Sequence, residues 1–317
     1  FDSLKTHSLV FAPGTDWSYS CGPFLLGLVI ERITGQSYAG FMQRALFEPL
    51  GLGSTQVNDV GPQSPDMARG YVWRDGILQA GARVSPAAHS RGDVGIQTTA
   101  LDLARWVVAL DGSSLLSDSS RRLMFTPGTL SNGEVIAHGF GWFVTPVRGH
   151  TEIMHGGSFR TGFNSVIARY PADSLTIIIL TNQFRARSSA MARAIASFYN
   201  SDYTPIEVMT STPDTSPGRT LIVTRLMEAL RDGSSFGGLL PGVGRLGGWS
   251  RAELRHELAE ATPPEFITCQ DLTGRTATAF GTPIAVNCFY RTAGDKPRRW
   301  AVSLTSTDQI AYIELEQ

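Results

Sequence analysis

Apolar residues recur at helical spacing early in the chain. Leu25, Leu26, Val29, Ile30 and Ile33 follow an i, i+4 rhythm that predicts a helix over residues 22–35, with Gly35 as its stop. Ser37 is placed as the N-cap of a second helix with Tyr38, Phe41, Met42, Ala45 and Leu46 on one face, ended by Pro49-Leu-Gly51. Residues 53–98 are rich in Gly, Pro, Ser and Asp and predict a long loop region with short strands. Thr99-Ala-Leu-Asp102 resembles a capping box with Asp in place of Glu, opening a helix through Leu110 that turns Leu103, Trp106 and Leu110 inward. The period then changes. Residues 139–145 read as a strand, and residues 164–170 and 175–181 as an antiparallel hairpin joined by Pro171-Ala-Asp-Ser174. Residues 186–199 predict a closing helix.

Between residues 203 and 219 prolines, Thr, Ser and Asp replace periodic apolar residues, which predicts a linker. Beyond it, residues 220–230 and 250–260 read as helices, the second opened by Ser250 and Glu253 as a capping box. Residues 265–317 read as several strands. The expected fold class is α+β, with a first domain over 1–202 and a small α+β domain over 220–317. The buried face of the second is expected to include Leu226, Leu230, Leu254, Phe266, Phe289 and Ile313.

Composition narrows the function. With 317 residues, 42% hydrophobic and 17% charged, the chain can bury a sizeable core. A net charge of −1 argues against nucleic acid or an anionic membrane as partner, because both are held by clustered Lys and Arg. No apolar run approaches the roughly 20 residues that span a bilayer. The three cysteines fit neither a disulfide scaffold nor a zinc site. Cys269 and Cys288 pair only if their strands are neighbours; buried free thiols are the other reading. No cofactor or metal is expected.

Two segments carry chemistry. Phe11-Ala-Pro-Gly-Thr-Asp-Trp-Ser-Tyr19-Ser-Cys21 runs into the first helix, which ends Ile-Glu-x-x-Thr-Gly, and Pro-Leu-Gly-Leu-x-x-Thr follows. Met154-His-Gly-Gly-Ser158 is preceded by Gly139-Phe-Gly-Trp142 and followed by Gly162-Phe-Asn-Ser165 and Thr181-Asn182. Alone, Tyr19 reads as a loop anchor and His155-Gly-Gly as a turn. In this order the segments resemble the serine β-lactamase and penicillin-binding-protein superfamily, in the class C branch with its DD-peptidases, D-aminopeptidases and carboxylesterases. The stretch 92–106 (Gly92-Asp-Val-Gly-Ile-Gln-Thr-Thr-Ala-Leu-Asp102-Leu-Ala-Arg-Trp106) is similar to a structural stretch of that family.

The resemblance implies a β-lactamase/transpeptidase-like domain: an antiparallel sheet flanked by helices, plus a helical region. It implies that Tyr19 is the Tyr of the Tyr-x-Asn motif, which moves protons on and off a serine hydroxyl. A tyrosine of ordinary pKa is a poor base at pH 7 and needs a neighbouring cation. Cys21 stands at the motif's Asn position, among the substrate-binding residues, and a thiol cannot replace both functions of an amide. His155, Gly156 and Gly157 stand at the Lys-Thr-Gly position, where small residues admit substrate backbone. The Ser158 N–H is expected as one oxyanion donor, worth about 10²–10³ in rate. His in place of Lys weakens the fixed charge for a substrate carboxylate, which shifts the expectation toward esters or amides. Arg160 is a candidate to restore it, with a solvated surface arginine as the simpler reading.

The family's nucleophile sits in Ser-x-x-Lys. Lys5 and Lys296 are the chain's lysines; three positions before them stand Asp2 and Ala293, so these 317 residues contain no such motif. Phe1 is therefore expected to lie inside a longer product, exported to the periplasm or cell surface by the family's habit. The leading expectation from the resemblance is a serine hydrolase acting through an acyl-enzyme on a small-molecule or peptide substrate (an ester, an amide or D-amino-acid peptide, or a β-lactam), its nucleophile outside this chain. The alternative is a non-catalytic binding or regulatory member of the fold. A metal set of His150, His155 and Glu152 matches no zinc spacing.

Overall fold

A computed structural model describes residues 8–19, 22–58, 66–74, 76–82, 91–159, 161–239, 255, 258–259, 261–275, 277–294 and 297–316. Cys21, Arg160, Leu254 and nearly all of the expected helix over 250–260 with its capping box lie outside the described residues.

The first helices are α1 (Gly22–Thr34) and α2 (Tyr38–Met42), the latter continued by one π-helical turn, Gln43–Phe47. Ser37 caps α2, its hydroxyl accepting the Gly40 N–H at 3.1 Å. The loop region holds the pairs β1 (Gln56–Val57) with β4 (Ile96–Gln97) and β2 (Tyr71–Arg74) with β3 (Ile77–Ala80). Helix α3 (Ala100–Asp111) follows, then α4 (Asp118–Met124), which the sequence reading did not anticipate, and the short pair β5 (Gly128–Thr129) with β6 (Val135–Ile136). At the start of α3, Thr99 accepts the Asp102 N–H at 3.2 Å, as half of a capping box. The Asp102 carboxylate does not close the box. It accepts from the Ser54 N–H at 2.8 Å and the Thr55 hydroxyl at 2.9 Å, tying α3 to the turn after α2. Asp is one methylene shorter than the Glu that reaches back in a capping box.

The central sheet has the antiparallel order β10-β9-β8-β7, with β7 (Phe143–Val147), β8 (His150–Phe159), β9 (Phe163–Tyr170) and β10 (Leu175–Thr181). Residues 139–142, expected in the strand, form a turn before β7. Strand alternation sorts side chains between the two faces. Val166, Ala168 and Tyr170 of β9 meet Ala192 and Ala196 of α5 (Ser188–Ala196). Val144 and Ile153 face the other way, against Leu110, Trp106 and Trp142.

Residues 203–219 do not run as an open linker. Tyr203 and Ile206 are each 1% exposed, the first in the sheet core and the second against Ile267, Phe289 and Ala301. Pro217 already opens α6 (Pro217–Asp232), which ends on the left-handed Gly233. Helix α6 packs on a second antiparallel sheet of order β11-β14-β15-β16, formed by β11 (Glu265–Asp271), β14 (Val286–Thr292), β15 (Arg298–Leu304) and β16 (Ile310–Glu316). A short pair, β12 (Thr278–Ala279) with β13 (Thr282–Pro283), lies between β11 and β14 in sequence. Leu226, Leu230, Phe289 and Ile313 are buried here, and Phe266 packs against the same core. Cys269 and Cys288 lie directly opposite on β11 and β14 and form a disulfide.

The two halves are locked by charge. Val147-Arg148-Gly149-His150 makes a tight β7–β8 turn with positive φ at Arg148 (52°) and Gly149 (92°), the combination a two-residue primed turn requires. The turn enters the second half, where the Gly149 carbonyl accepts the Thr278 N–H at 3.1 Å and the Arg148 guanidinium lies 5.1 Å from the Phe289 ring. The fully buried Glu152 accepts from Arg193 at 3.1 and 2.8 Å and from the Tyr170 hydroxyl at 2.9 Å, and Arg193 also bonds Glu314 of β16.

Candidate active site

Strand β8 positions the site. It pairs with β7 over His150–Met154, and β9 covers its other edge from Ile153 to Phe159. From His155 onward β8 therefore has β9 on one side and no β7 partner on the other. Gly156, Gly157 and Ser158 are exposed along this lip. Their small side chains leave the strand backbone open to approach by another chain or a substrate. Gly156 is also constrained from below: a Cβ there would stand 3.1 Å from the Ser165 carbonyl oxygen.

Period-two alternation puts His155 on the same face as Ile153, toward α3, and Glu152 and Met154 on the face toward α5. Glu152 and His150 thus do not join His155. His150 Nε2 lies 2.8 Å from Asp202 Oδ2, and Asp202 also accepts from Arg275 at 3.0 and 2.9 Å. Among the described residues no cluster of His, Cys, Asp and Glu is arranged to hold a metal.

Tyr19, in the loop before α1, reaches this face from the far end of the chain. Its ring centroid is 6.2 Å from that of His155 and 6.0 Å from Phe143, on which it stacks. The loop is fixed by Gly14, whose carbonyl accepts the Ser131 N–H at 2.8 Å, and by its own turn, Thr15 N–H to the Ala12 carbonyl at 3.0 Å. Tyr19 remains 61% exposed, so its hydroxyl face is open to an incoming group.

The sequence reading missed one residue of this cluster. His138 sits 5.2 Å from Trp17, 6.4 Å from Tyr19 and 4.9 Å from Phe143, ring to ring. It is brought there by a bridge to Phe143, which joins the residue before Gly139-Phe-Gly-Trp142 to the start of β7. The signal was present in that motif, one position upstream of the residues read as structural. Burial lowers the pKa of His138, a hydrogen bond with the Gly139 backbone opposes this, and the charge of His155 adds to the lowering. Burial likewise lowers His155, opposed by the Gly156 backbone. Both rings are therefore biased to be neutral near pH 7. The site brings together a phenol, two imidazoles and an open strand backbone, groups chemically able to donate hydrogen bonds to a carbonyl oxygen and to pass protons.

Comparison with known proteins gives this arrangement a context. The beta-lactamase family profile matches residues 1–200. The chain is 30% identical over 204 residues to a D-aminopeptidase of Gluconobacter oxydans, covering 63% of this chain and 38% of that protein. It is 32% identical over 187 residues to penicillin-binding protein 4* of Bacillus subtilis, covering 55% and 41% respectively. The octameric penicillin-binding protein homologue from Pyrococcus abyssi superposes with a TM-score of 0.52 at 18% identity, over 96% of this chain and 56% of that one, a likeness of fold. The chain thus spans about two fifths of the curated relatives it matches, and it belongs to the beta-lactamase family.

Proposed function

We propose that this chain carries the proton-relay and substrate-strand side of a serine acyl-transfer site. Tyr19 is the proton carrier, and His155, Gly156 and Gly157 form the wall along which the acyl group lies. The Ser158 N–H is one oxyanion donor. The nucleophilic Ser-x-x-Lys comes from residues outside these 317. The supporting observation is the 6.2 Å approach of the Tyr19 and His155 rings, which come from segments far apart in the sequence and both inside the family match. The reading places Cys21 and Arg160 at the substrate.

The substrate follows from charge. A carboxylate-bearing β-lactam or peptide terminus needs a fixed cation at the strand, and a histidine whose burial favours the neutral ring does not supply one at neutral pH. Esters and amides without an adjacent carboxylate suit this strand better. Export is part of the proposal, supported by the Cys269–Cys288 disulfide, a bond that persists in oxidising compartments.

The test is intact-protein mass after incubating a chain extended upstream through the nucleophile with a fluorophosphonate and, separately, a β-lactam. The expected result is a stable adduct on the serine of Ser-x-x-Lys with the fluorophosphonate. In Tyr19→Phe, ester turnover is expected to fall about 10²–10⁴-fold. Cys21 at the motif's Asn position favours the alternative, a non-catalytic binding member. A folded extended protein that takes up no probe would establish that alternative.

A further inference from the structure

His138 has no part in the acyl-transfer reading of the site. Its Nε2 is buried and has no hydrogen-bond partner among the described residues. A buried ring nitrogen without a partner costs stability unless a ligand, water or proton uses it. Tyr19 and Phe143 each touch both His138 and His155, so the two imidazoles flank one phenol.

The surroundings contain little to fix a charge. From the loop before α1 come the Trp17 indole and the Tyr19 phenol; the Asp16 carboxylate of that loop accepts the Trp17 backbone N–H at 2.7 Å. Strand β7 brings the apolar Phe143, and β8 brings His155. The Gly139 N–H beside His138 is taken by the Trp142 carbonyl at 2.8 Å. Among the described residues no carboxylate raises the pKa of either imidazole, while the charge of His155 lowers that of His138. Two like charges flanking one phenol repel, so protonation of one ring opposes protonation of the other.

We propose that His138 is a specificity-determining residue of this site: with His155 it forms a pair of imidazoles that carries a single proton between them. The site then takes an uncharged acyl group near neutral pH and an anionic carboxylate in acid. The inference rests on the acyl-transfer reading of the site. Its test reads protons and ligand on the chain itself, without a nucleophile, and so fails separately from that reading.

The experiment is NMR of the histidine ring protons over pH 4–8, on this chain and on His138→Phe and His155→Phe, with benzamide and benzoate as isosteric probes. Phe keeps an aromatic ring at each position and removes the proton site. His155 is expected to titrate upward by roughly 0.3–1 unit in His138→Phe, and His138 likewise in His155→Phe, because each loses a like-charged neighbour. Benzoate is expected to perturb both rings and to bind about tenfold more tightly at pH 5.5 than at pH 7.5, with benzamide unchanged. In His138→Phe the pH at which benzoate binding tightens should rise together with the His155 titration. An unmoved His155 titration in folded His138→Phe overturns the proposal. So does a benzoate gain whose pH is unmoved by the substitution, or no benzoate effect at either ring at pH 5.5.

Discussion

At the scale of single residues, the informative groups satisfy more than one neighbour. Asp102 is 2% exposed. Burial pushes its pKa up, but the Thr55 hydroxyl, the Ser54 N–H and Arg105 outweigh that, so the carboxyl is held below its ordinary value. A depressed folded pKa means stability that is complete above the unfolded value of about 4 and lost as pH falls through the folded one. Asp102→Ala strips the Ser54 and Thr55 donors of their acceptor and should cost about 2–4 kcal/mol at pH 7. Urea unfolding of both proteins should show that gap narrowing by pH 3; a gap independent of pH would remove the charge from the argument. Gly162 is a backbone case. Its φ is +112°, and a Cβ would stand 2.1 Å from the Tyr71 nitrogen, so the β8–β9 turn touches β2 through bare backbone. Gly162→Ala should cost at least about 2 kcal/mol in the same assay, because both torsion and contact oppose it.

At the scale of elements, what the sequence disclosed depended on whether local pattern or distant partners decided the outcome. The β9–β10 hairpin was legible because its apolar alternation and Pro171 turn are local. Helix α1 was legible as a helix, but not in its burial: Leu26 is 64% and Ile33 79% exposed, since no described element covers that face. Tyr19 and His155 were legible through motif order, whereas His138 was not, because a β-bridge rather than a sequence pattern delivers it. The charge cluster joining β8, α5 and β16 was equally invisible, since spacing gives no sign that Glu152, Arg193 and Glu314 meet. Arg193 there is held strongly protonated: burial opposes its charge, but Glu152 and Glu314 overcome it. Removing one partner leaves buried charge unpaired. Arg193→Met should therefore cost about 3–5 kcal/mol, and Glu152→Leu added to it should recover more than half of that loss. A double-mutant cycle by chemical denaturation checks this; simple additivity would mean the two side chains do not depend on each other.

At the scale of the whole molecule, the two halves are unequally finished. Apart from Val208 and Leu221, every large hydrophobic residue that is exposed among the described residues lies at or before Tyr199. The second half closes its core between α6 and its sheet and is clamped by the disulfide, which closes a 19-residue separation worth about 3 kcal/mol in chain entropy. The first half ends its sheet on β10, Leu-Thr-Ile-Ile-Ile-Leu-Thr, a seven-residue edge with no charge and no proline. Such an edge offers unpaired backbone groups to another strand, and natural edges are usually blunted by Lys, Pro or a bulge. Leu180, 40% exposed, lies on that edge. This chain should therefore self-associate through β10, and Leu180→Lys should suppress the concentration-dependent rise in light scattering while leaving the unfolding midpoint nearly unchanged. Leu123→Lys, at a more exposed leucine on α4 and away from any sheet edge, is the control. If both substitutions suppress scattering equally, diffuse hydrophobic exposure drives association. If only Leu180→Lys does so, the open strand is the cause, and a partner strand paired along β10 is what the described residues of the first half do not supply.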